Sequence, residues 1–318
     1  MAKITWHIEP TSKCILECPL CDRTWFYKKF KKRLTHDIDI DHLINFLKGS
    51  SPEVLMCGNN GDPIYHNKFH ELCSGLKNID SKITITTNGS GKKKDWWEKL
   101  CSILTENDSI EFSIDGLEDT NHLYRKNAKW KTIMDAIEVV TNHNIDTTWK
   151  FIVFKHNQHQ IEDAKNYSKD LGIKNFRLIK SDRWWDTEEE LMPNDKYVDQ
   201  IYHEQIKVTS GKDMKVAIRQ QCMSKQDGEP DTELYIDSSG DFYPCCKIGT
   251  YAFRYNSIFT PKNKKFNIKD ISIQKLLGNS EIKNFFDSTK DYDSAHKCCK
   301  IYCRSNQSKD RKIQENVV

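Results

Sequence analysis

Cys14, Cys18 and Cys21 stand in the run Glu9-Pro10-Thr11-Ser12-Lys13-Cys14-Ile15-Leu16-Glu17-Cys18-Pro19-Leu20-Cys21, directly after the short apolar stretch Ile4-Thr5-Trp6-His7-Ile8. A C-x3-C-x2-C triplet on a loop leaving a strand can hold three irons of a cubane cluster by thiolate, leaving the fourth iron open to a ligand. Ferredoxin-type motifs differ, because four cysteines close every iron. Zinc is the alternative. It takes four ligands, and the nearest fourth candidates, His7 and His36, have no customary zinc-site spacing.

Downstream of the triplet, β-branched runs alternate with amphipathic stretches as far as Ile179. The expected strands are Ile4–Ile8, Glu53–Cys57, Lys82–Thr86, Ser109–Ile114, Thr147–Phe154 and Asn175–Ile179. The expected helices between them are Asp41–Leu47, Lys68–Leu76, Trp96–Leu104, Thr132–His143 and Gln160–Leu171. Six such units predict parallel strands joined by right-handed crossovers, either as an open doubly wound sheet or as part of a barrel. A cysteine loop stands where a glycine-rich phosphate loop would open the first helix. That favours a partial (β/α)6 TIM-type barrel with its chemistry at the C-terminal strand ends. The expected organisation is a barrel over residues 1–190, a linker helix over 191–214, a small cysteine-rich domain over 215–306 and a tail over 307–318. Within the small domain, Glu233–Asp237, the turn Ser238-Ser239-Gly240 and Asp241–Cys245 read as a β-hairpin. Thr260–Asn267 reads as a solvated loop.

Charged residues are 30% of the 318 and hydrophobic ones 37%, and the apolar runs are far too short to cross a bilayer. No membrane partner is expected. A net charge of +3 gives no argument for nucleic acid. Met1-Ala2-Lys3 leads straight into a strand without an apolar signal region. Nine of the twelve cysteines cluster near the two ends, with Cys57, Cys73 and Cys101 scattered between, instead of forming a disulfide scaffold, which points to metal in a reducing cytoplasm.

The triplet resembles the signature of the radical S-adenosylmethionine (SAM) enzymes, and motifs at later strand ends fall in register with it. Gly58-Asn59-Asn60-Gly61-Asp62-Pro63 is similar to the family's Gly-Gly-Glu-Pro element, with Asn60 for the first glycine and Asp62 for the glutamate. That element lets backbone carbonyls meet the SAM amino group. Thr86-Thr87-Asn88-Gly89 and Ser113-Ile114-Asp115-Gly116 resemble strand ends where Asn88, Ser113 and Asp115 reach SAM or substrate. Otherwise they are turn dipeptides. Arg125, ten residues past Asp115, matches an arginine that pairs with the SAM carboxylate. The alternative is a surface arginine before a helix. Asn157 resembles the asparagine of the family's strand-five element, with Val153 and Phe154 beside it for adenine or for the core. Cys57, at the end of strand two, is a candidate hydrogen-atom donor or else a small buried hydrophobe.

Gly240-x4-Cys245, with Cys222 upstream and Cys299-x3-Cys303 downstream, resembles the C-terminal SPASM/twitch extension of these enzymes. The resemblance implies a second, auxiliary 4Fe–4S cluster held by Cys222, Cys245, Cys299 and Cys303. Cys298 can replace Cys299, and Cys246 can replace Cys245; neighbouring residues point different ways, so only one of each pair is expected at one iron. The interval from Cys222 to Gly240 is longer than the family pattern. Zinc is again the alternative metal.

Two further runs bear on the substrate. Trp25–Arg33 interleaves aromatics with basic residues, and is read as a solvated helix with its apolar side packed on the barrel. Arg183-Trp184-Trp185-Asp186 is expected at the barrel mouth. The resemblance implies reductive cleavage of SAM and hydrogen-atom abstraction, with a peptide or protein side chain as the leading substrate class. An external electron donor such as flavodoxin or ferredoxin is then required. Because the chain enters strand one at once, a peptide substrate is expected to need a separate recognition protein or the barrel rim. The alternatives are dehydrogenation of a small carbohydrate- or nucleoside-like metabolite and, from another class, a zinc-binding protein associated with nucleic acid.

Overall fold

A computed structural model describes residues 4–179, 181, 189–194, 196–197, 225–226, 229–230, 232–250, 259, 266–289 and 294–302. Six strands fall where the β-branched runs are: β1 Ile4–Ile8, β2 Glu53–Met56, β3 Lys82–Thr87, β4 Ser109–Ser113, β5 Asp146–Ile152 and β6 Asn175–Ile179. They pair in parallel in that order, each against the next. The helices between them are α1 Asp22–Phe30, α2 Ile40–Leu47, α3 Phe69–Lys77, α4 Lys94–Cys101, α5 Asn121–Tyr124, α6 Trp130–Asn142 and α7 Ile161–Asp170. This is the partial barrel that the cysteine loop favoured over an open doubly wound sheet.

Amphipathic spacing sets how the helices dock. In α2 the Asp39 side chain accepts the His42 N–H at 3.0 Å and caps the first turn. Leu43, Phe46 and Leu47 then recur on one face and are buried. Removing the fully buried Leu43 side chain would cost about 2–5 kcal/mol. The strands obey the period of two. Trp6, Ile8, Val54, Met56, Ile83, Ile85, Ile110, Phe112, Trp149 and Phe151 form the core with the helices. The alternate positions His7, Cys57, Thr86, Glu111, Lys150 and Arg177 make the inner face polar.

The C-terminal hairpin forms as expected, but it does not stand in a separate layer. Thr232–Ile236 (β7) pairs in parallel with β1 along its whole length, and Phe242–Tyr243 (β8) pairs antiparallel with β7. The result is one eight-stranded sheet in the order β8-β7-β1-β2-β3-β4-β5-β6. The outer edge of β1 would otherwise expose unpaired backbone groups, and β7 satisfies them. Gly240 closes the hairpin at φ +80, where a side chain is strained. Beyond it lie α8 Ile273–Gly278, α9 Ser280–Ser288 and α10 Lys297–Tyr302.

Two expectations are corrected. The apolar side of α1 is not packed away: Trp25, Tyr27 and Phe30 are 37, 39 and 48% exposed. Their spacing around the helix never gathers into one stripe. The end of the Thr260–Asn267 stretch is ordered against the sheet, since the Phe242 N–H donates to the Phe266 carbonyl at 2.9 Å and Phe266 is buried. The linker helix across most of 191–214, Arg183–Asp186, Cys222, Cys303 and the tail lie outside the described residues. Among those described, no helix is long and apolar enough to cross a membrane.

Candidate active site

The cysteine loop leaves β1 and is pinned on both sides. The Ser12 N–H donates to the His36 carbonyl at 2.9 Å, the Asp62 N–H to the Lys13 carbonyl at 2.9 Å, and the Glu17 N–H to the Lys126 carbonyl at 3.1 Å. Leu16 and Leu20 bury the loop against Tyr124 and Phe154, in an apolar cluster that also contains Cys18. Phe154 thus serves packing, its ring 4.1 Å from that of Tyr124, and Val153 belongs to the main core. Burial pushes the Cys18 thiol up to about 12 and raises Cys14 as well. Such thiols become ligands only when a cation in the site favours their thiolates. Donors already face the sulfur of Cys14: the Leu16 N–H at 3.4 Å and Asn88 Nδ2 at 3.7 Å.

The sulfur spacing bears on which metal fits. Ligands of one tetrahedral zinc at 2.3 Å stand about 3.8 Å apart. The donor atoms of Cys14, Cys18 and Cys21 do not fall together within 4.8 Å; among the described residues only His7, Glu233 and Cys246 do. A polynuclear cluster does not require that spacing, because its ligands sit on different metal atoms.

Next to this loop, Gly58–Asp62 is held from below by Glu9. One Glu9 oxygen accepts the Asn60 N–H at 2.6 Å and the Gly61 N–H at 2.9 Å, while the other accepts the Tyr235 hydroxyl. Burial raises the pKa of Glu9 above 4.5 against those donors. A Cβ on Gly61 would lie 1.9 Å from the Thr11 carbonyl oxygen, so the close approach of the two loops requires glycine. Asp62 accepts from Thr87 Oγ1 at 2.8 Å and from the Asn88 N–H at 2.7 Å. Its carboxylate therefore fastens this loop to the end of β3. Asn60 Oδ1 is buried and has no hydrogen-bond partner.

Arg125 closes α5 with its side chain only 15% exposed, which excludes the surface reading. Its Nε–H donates to Asp115 Oδ2 at 2.6 Å. Burial works against the charge, but Asp115 and Cys18 outweigh it and keep the guanidinium protonated. Asp115 Oδ1 accepts the Ile152 N–H at 2.7 Å, and the Asp115 carbonyl accepts from Asn157 Nδ2 at 2.9 Å. Asn157 is fully buried and also bonds the Ile152 carbonyl and the Phe154 N–H. Its side chain ties the ends of β4 and β5 together. Ser113 ends β4 half-buried beside them.

The inner face adds residues that the motifs did not single out. Glu111 accepts from Thr86 Oγ1 at 2.6 Å, Lys150 Nζ at 3.1 Å and Arg177 Nη1 at 3.2 Å. Burial would raise its pKa, but Lys150, Thr86 and Arg177 outweigh that and hold it below 4.5. His7 faces two acceptors, Glu233 Oε1 through Nδ1 and the Cys57 carbonyl through Nε2, each at 2.8 Å. Burial lowers its pKa and is outweighed by Cys246, Cys57 and Glu233, so the ring is held above 6.5. Cys57 is half-buried among these polar groups and does not act as an apolar filler. The available signal was alternation, since polar residues such as His7, Thr86, Glu111, Lys150 and Arg177 interrupt the apolar residues of the strands at period two.

In the second cysteine group, the Cys245 thiol meets Cys298, whose hydrogen bond favours the Cys245 thiolate. Cys298 and Cys299 are both buried on the helix Lys297–Tyr302. Cys246 turns instead toward His7 and Glu233.

The chain belongs to the radical SAM superfamily, whose family profile matches residues 8–167. It is therefore an enzyme of the class that binds SAM on a 4Fe–4S cluster. A curated relative, the tungsten-containing aldehyde ferredoxin oxidoreductase cofactor-modifying protein of Pyrococcus furiosus, is 24% identical over 179 residues. That match covers 52% of this chain and 48% of the relative, so the chain spans about half the length of the relative. Among solved structures, anSMEcpe with bound AdoMet superposes with a TM-score of 0.65 at 14% identity, over 91% of this chain and 84% of that one. SuiB of Streptococcus suis does so with a TM-score of 0.64 at 14% identity, over 90% of this chain and 68% of that one. At such identities the likeness is one of fold.

Proposed function

We propose that this enzyme cleaves SAM reductively and directs the resulting 5′-deoxyadenosyl radical at a peptide or protein side chain. Arg125 carries the reading. With Nε engaged by Asp115, its two terminal nitrogens make no hydrogen bond to a described residue, and they stand in the field of Cys18. A fixed, half-used guanidinium beside the cysteine loop suits the bidentate grip of a carboxylate.

The remaining roles follow from position. Cys14, Cys18 and Cys21 would hold the first cluster, which when bound would supply the electron that breaks a carbon–sulfur bond of the SAM sulfonium. The Gly58, Asn60 and Gly61 carbonyls would receive the SAM amino group, and the orphaned Asn60 Oδ1 adds a buried acceptor that gains a partner when SAM binds. Asp62, Asn88, Asp115 and Asn157 position these groups, their own polar atoms being spent on the strand ends. Ser113 is offered as a contact to SAM or substrate. Cys57 stands on the inner face as the candidate hydrogen donor. An auxiliary four-iron cluster would use Cys245 and Cys298, with Cys222 and Cys303 completing the set. The free thiols suit a reducing cytoplasm, and a flavodoxin or ferredoxin would bring the electron.

Support for the substrate class comes from SuiB, solved bound to its precursor peptide SuiA, which superposes on this chain with a TM-score of 0.61. A separate peptide-recognition protein is part of this reading. The second reading, a small polar metabolite, is favoured by the charged inner face of Glu111, Lys150 and Arg177. The test is anaerobic reconstitution followed by reduction with SAM. Formation of 5′-deoxyadenosine, with a cluster signal that changes on adding SAM, supports the proposal. Stoichiometric zinc without sulfide at Cys14, Cys18 and Cys21 would end it. Deuterium transfer into 5′-deoxyadenosine from labelled peptides or labelled metabolites separates the two substrate classes.

A further inference from the structure

We propose that His7, Glu233 and Cys246 form a site for a single divalent cation of borderline softness, zinc being the best fit, on the inner face of the barrel. The three residues come from three segments, β1, β7 and the loop after β8, yet their nitrogen, oxygen and sulfur donors lie within 4.8 Å of one another. No other such group occurs among the described residues. One imidazole, one carboxylate and one thiolate is a donor set that zinc accepts readily.

The surroundings are those of a ligand set. A metal-binding histidine usually donates its second ring N–H to a carbonyl or carboxylate, which fixes the ring and its tautomer. Here Nε2 donates to the Cys57 carbonyl at 2.8 Å, and this turns Nδ1 toward Glu233 Oε1 at 2.8 Å. The backbone of Cys246 is fixed in turn, its carbonyl accepting from Asn59 Nδ2 at 2.8 Å. Cys245 faces Cys298, so its neighbour Cys246 is turned to the barrel side.

Three protein ligands leave a coordination position open, as catalytic zinc sites do and structural ones do not. The position is next to the chemistry: the Asn59 carbonyl accepts the Cys21 thiol at 3.9 Å while its side chain holds Cys246. The open position would take an oxygen, nitrogen or sulfur atom of the substrate and hold that group on the inner face, below the cysteine loop. This last role rests on the proposed radical reaction, whereas the site itself does not.

The test uses the intact protein, produced in zinc-supplemented medium and kept anaerobic with its clusters in place. Zinc and iron are measured by mass spectrometry, and the zinc shell by absorption at the zinc edge, which iron does not mask. The expected result is one zinc per chain with one sulfur at about 2.3 Å and nitrogen or oxygen at about 2.0–2.2 Å. Cys246→Ser should remove the sulfur from that shell and leave iron unchanged, and Glu233→Gln and His7→Gln should each weaken zinc retention at least tenfold. Wild-type protein that retains no more zinc than His7→Gln overturns the site, because a proton alone then joins His7 to Glu233. Cys246→Ser that loses as much iron as Cys245→Ala also overturns it, because Cys246 is then a cluster ligand. The wild-type spectrum decides even if a variant fails to fold. SAM cleavage in the same samples reports separately on the radical chemistry.

Discussion

The two cysteine groups differ in what brings their thiols together. Cys14, Cys18 and Cys21 sit within one short loop, and the loop is clamped by neighbours on every side. Cys245 and Cys298 meet across more than fifty residues, through the hairpin that joins β1 and the helix Lys297–Tyr302. In the first group the spacing alone gathers the thiols, and the fold supplies a dry, polar-capped setting. In the second the fold does the gathering. Adjacent residues there serve different places, Cys245 toward Cys298 and Cys246 toward His7, because the chain turns at this pair just past β8. A local motif can be read as a ligand set; a dispersed one cannot be assigned until the chain is folded.

The largest expected contrast is between variants of these two groups. Replacing Cys14, Cys18 and Cys21 by Ala should abolish SAM cleavage and leave about half of the iron. Replacing Cys245 and Cys298 by Ala should remove the other half, spare uncoupled 5′-deoxyadenosine formation and abolish product. Circular dichroism must accompany the second variant, since metal binding couples to folding. Unchanged iron after loss of Cys245 and Cys298 would break the comparison.

Arg125→Ala comes next. It leaves Asp115 charged and buried without its partner, at about 3–5 kcal/mol of stability, measured by denaturant unfolding. SAM affinity should fall by about 1.5–3 kcal/mol if the guanidinium grips the SAM carboxylate. Unchanged affinity in a folded variant would make Arg125 a partner of Asp115 alone. Gly61→Ala forces its methyl onto the Thr11 carbonyl and should cost about 1–3 kcal/mol, with SAM binding reduced alongside. A normal melting temperature would show that the two loops separate easily.

A smaller effect should appear with pH. Glu111 is held below 4.5 by Lys150, Thr86 and Arg177. Its stabilisation is complete above pH 4.5 and is lost as pH falls through the lowered value. Glu111→Gln should therefore flatten the acid limb of the stability profile, and an unaltered limb would deny that this network is formed. Least of all, Trp25→Ala on the exposed face of α1 should change stability by no more than about 0.5 kcal/mol. A larger loss in thermal unfolding would mean that the helix is covered.

Amino-acid sequence by itself determined the six strands from Ile4 to Ile179, the helices between them and the metal loop, because each rests on short-range periodicity or spacing. Their boundaries moved by one to three residues, as with β5 ending at Ile152 instead of Phe154 and α4 ending at Cys101 instead of Leu104. The hairpin was legible too, from its Ser-Gly turn, but its place was not. Pairing of Thr232–Ile236 with β1 joins residues more than two hundred apart, and only the unsatisfied edge of β1 selects it. Site residues divide in the same way. The glycines and asparagines of the strand ends stood out as turn chemistry, whereas their use depends on partners elsewhere: Glu9 beneath Asn60 and Gly61, Asp115 against Arg125, Asn157 across two strand ends. His7, Glu233 and Cys246 carry no motif at all. Their donors meet because parallel pairing places β1 beside β7, and a buried polar face needs partners wherever the fold finds them.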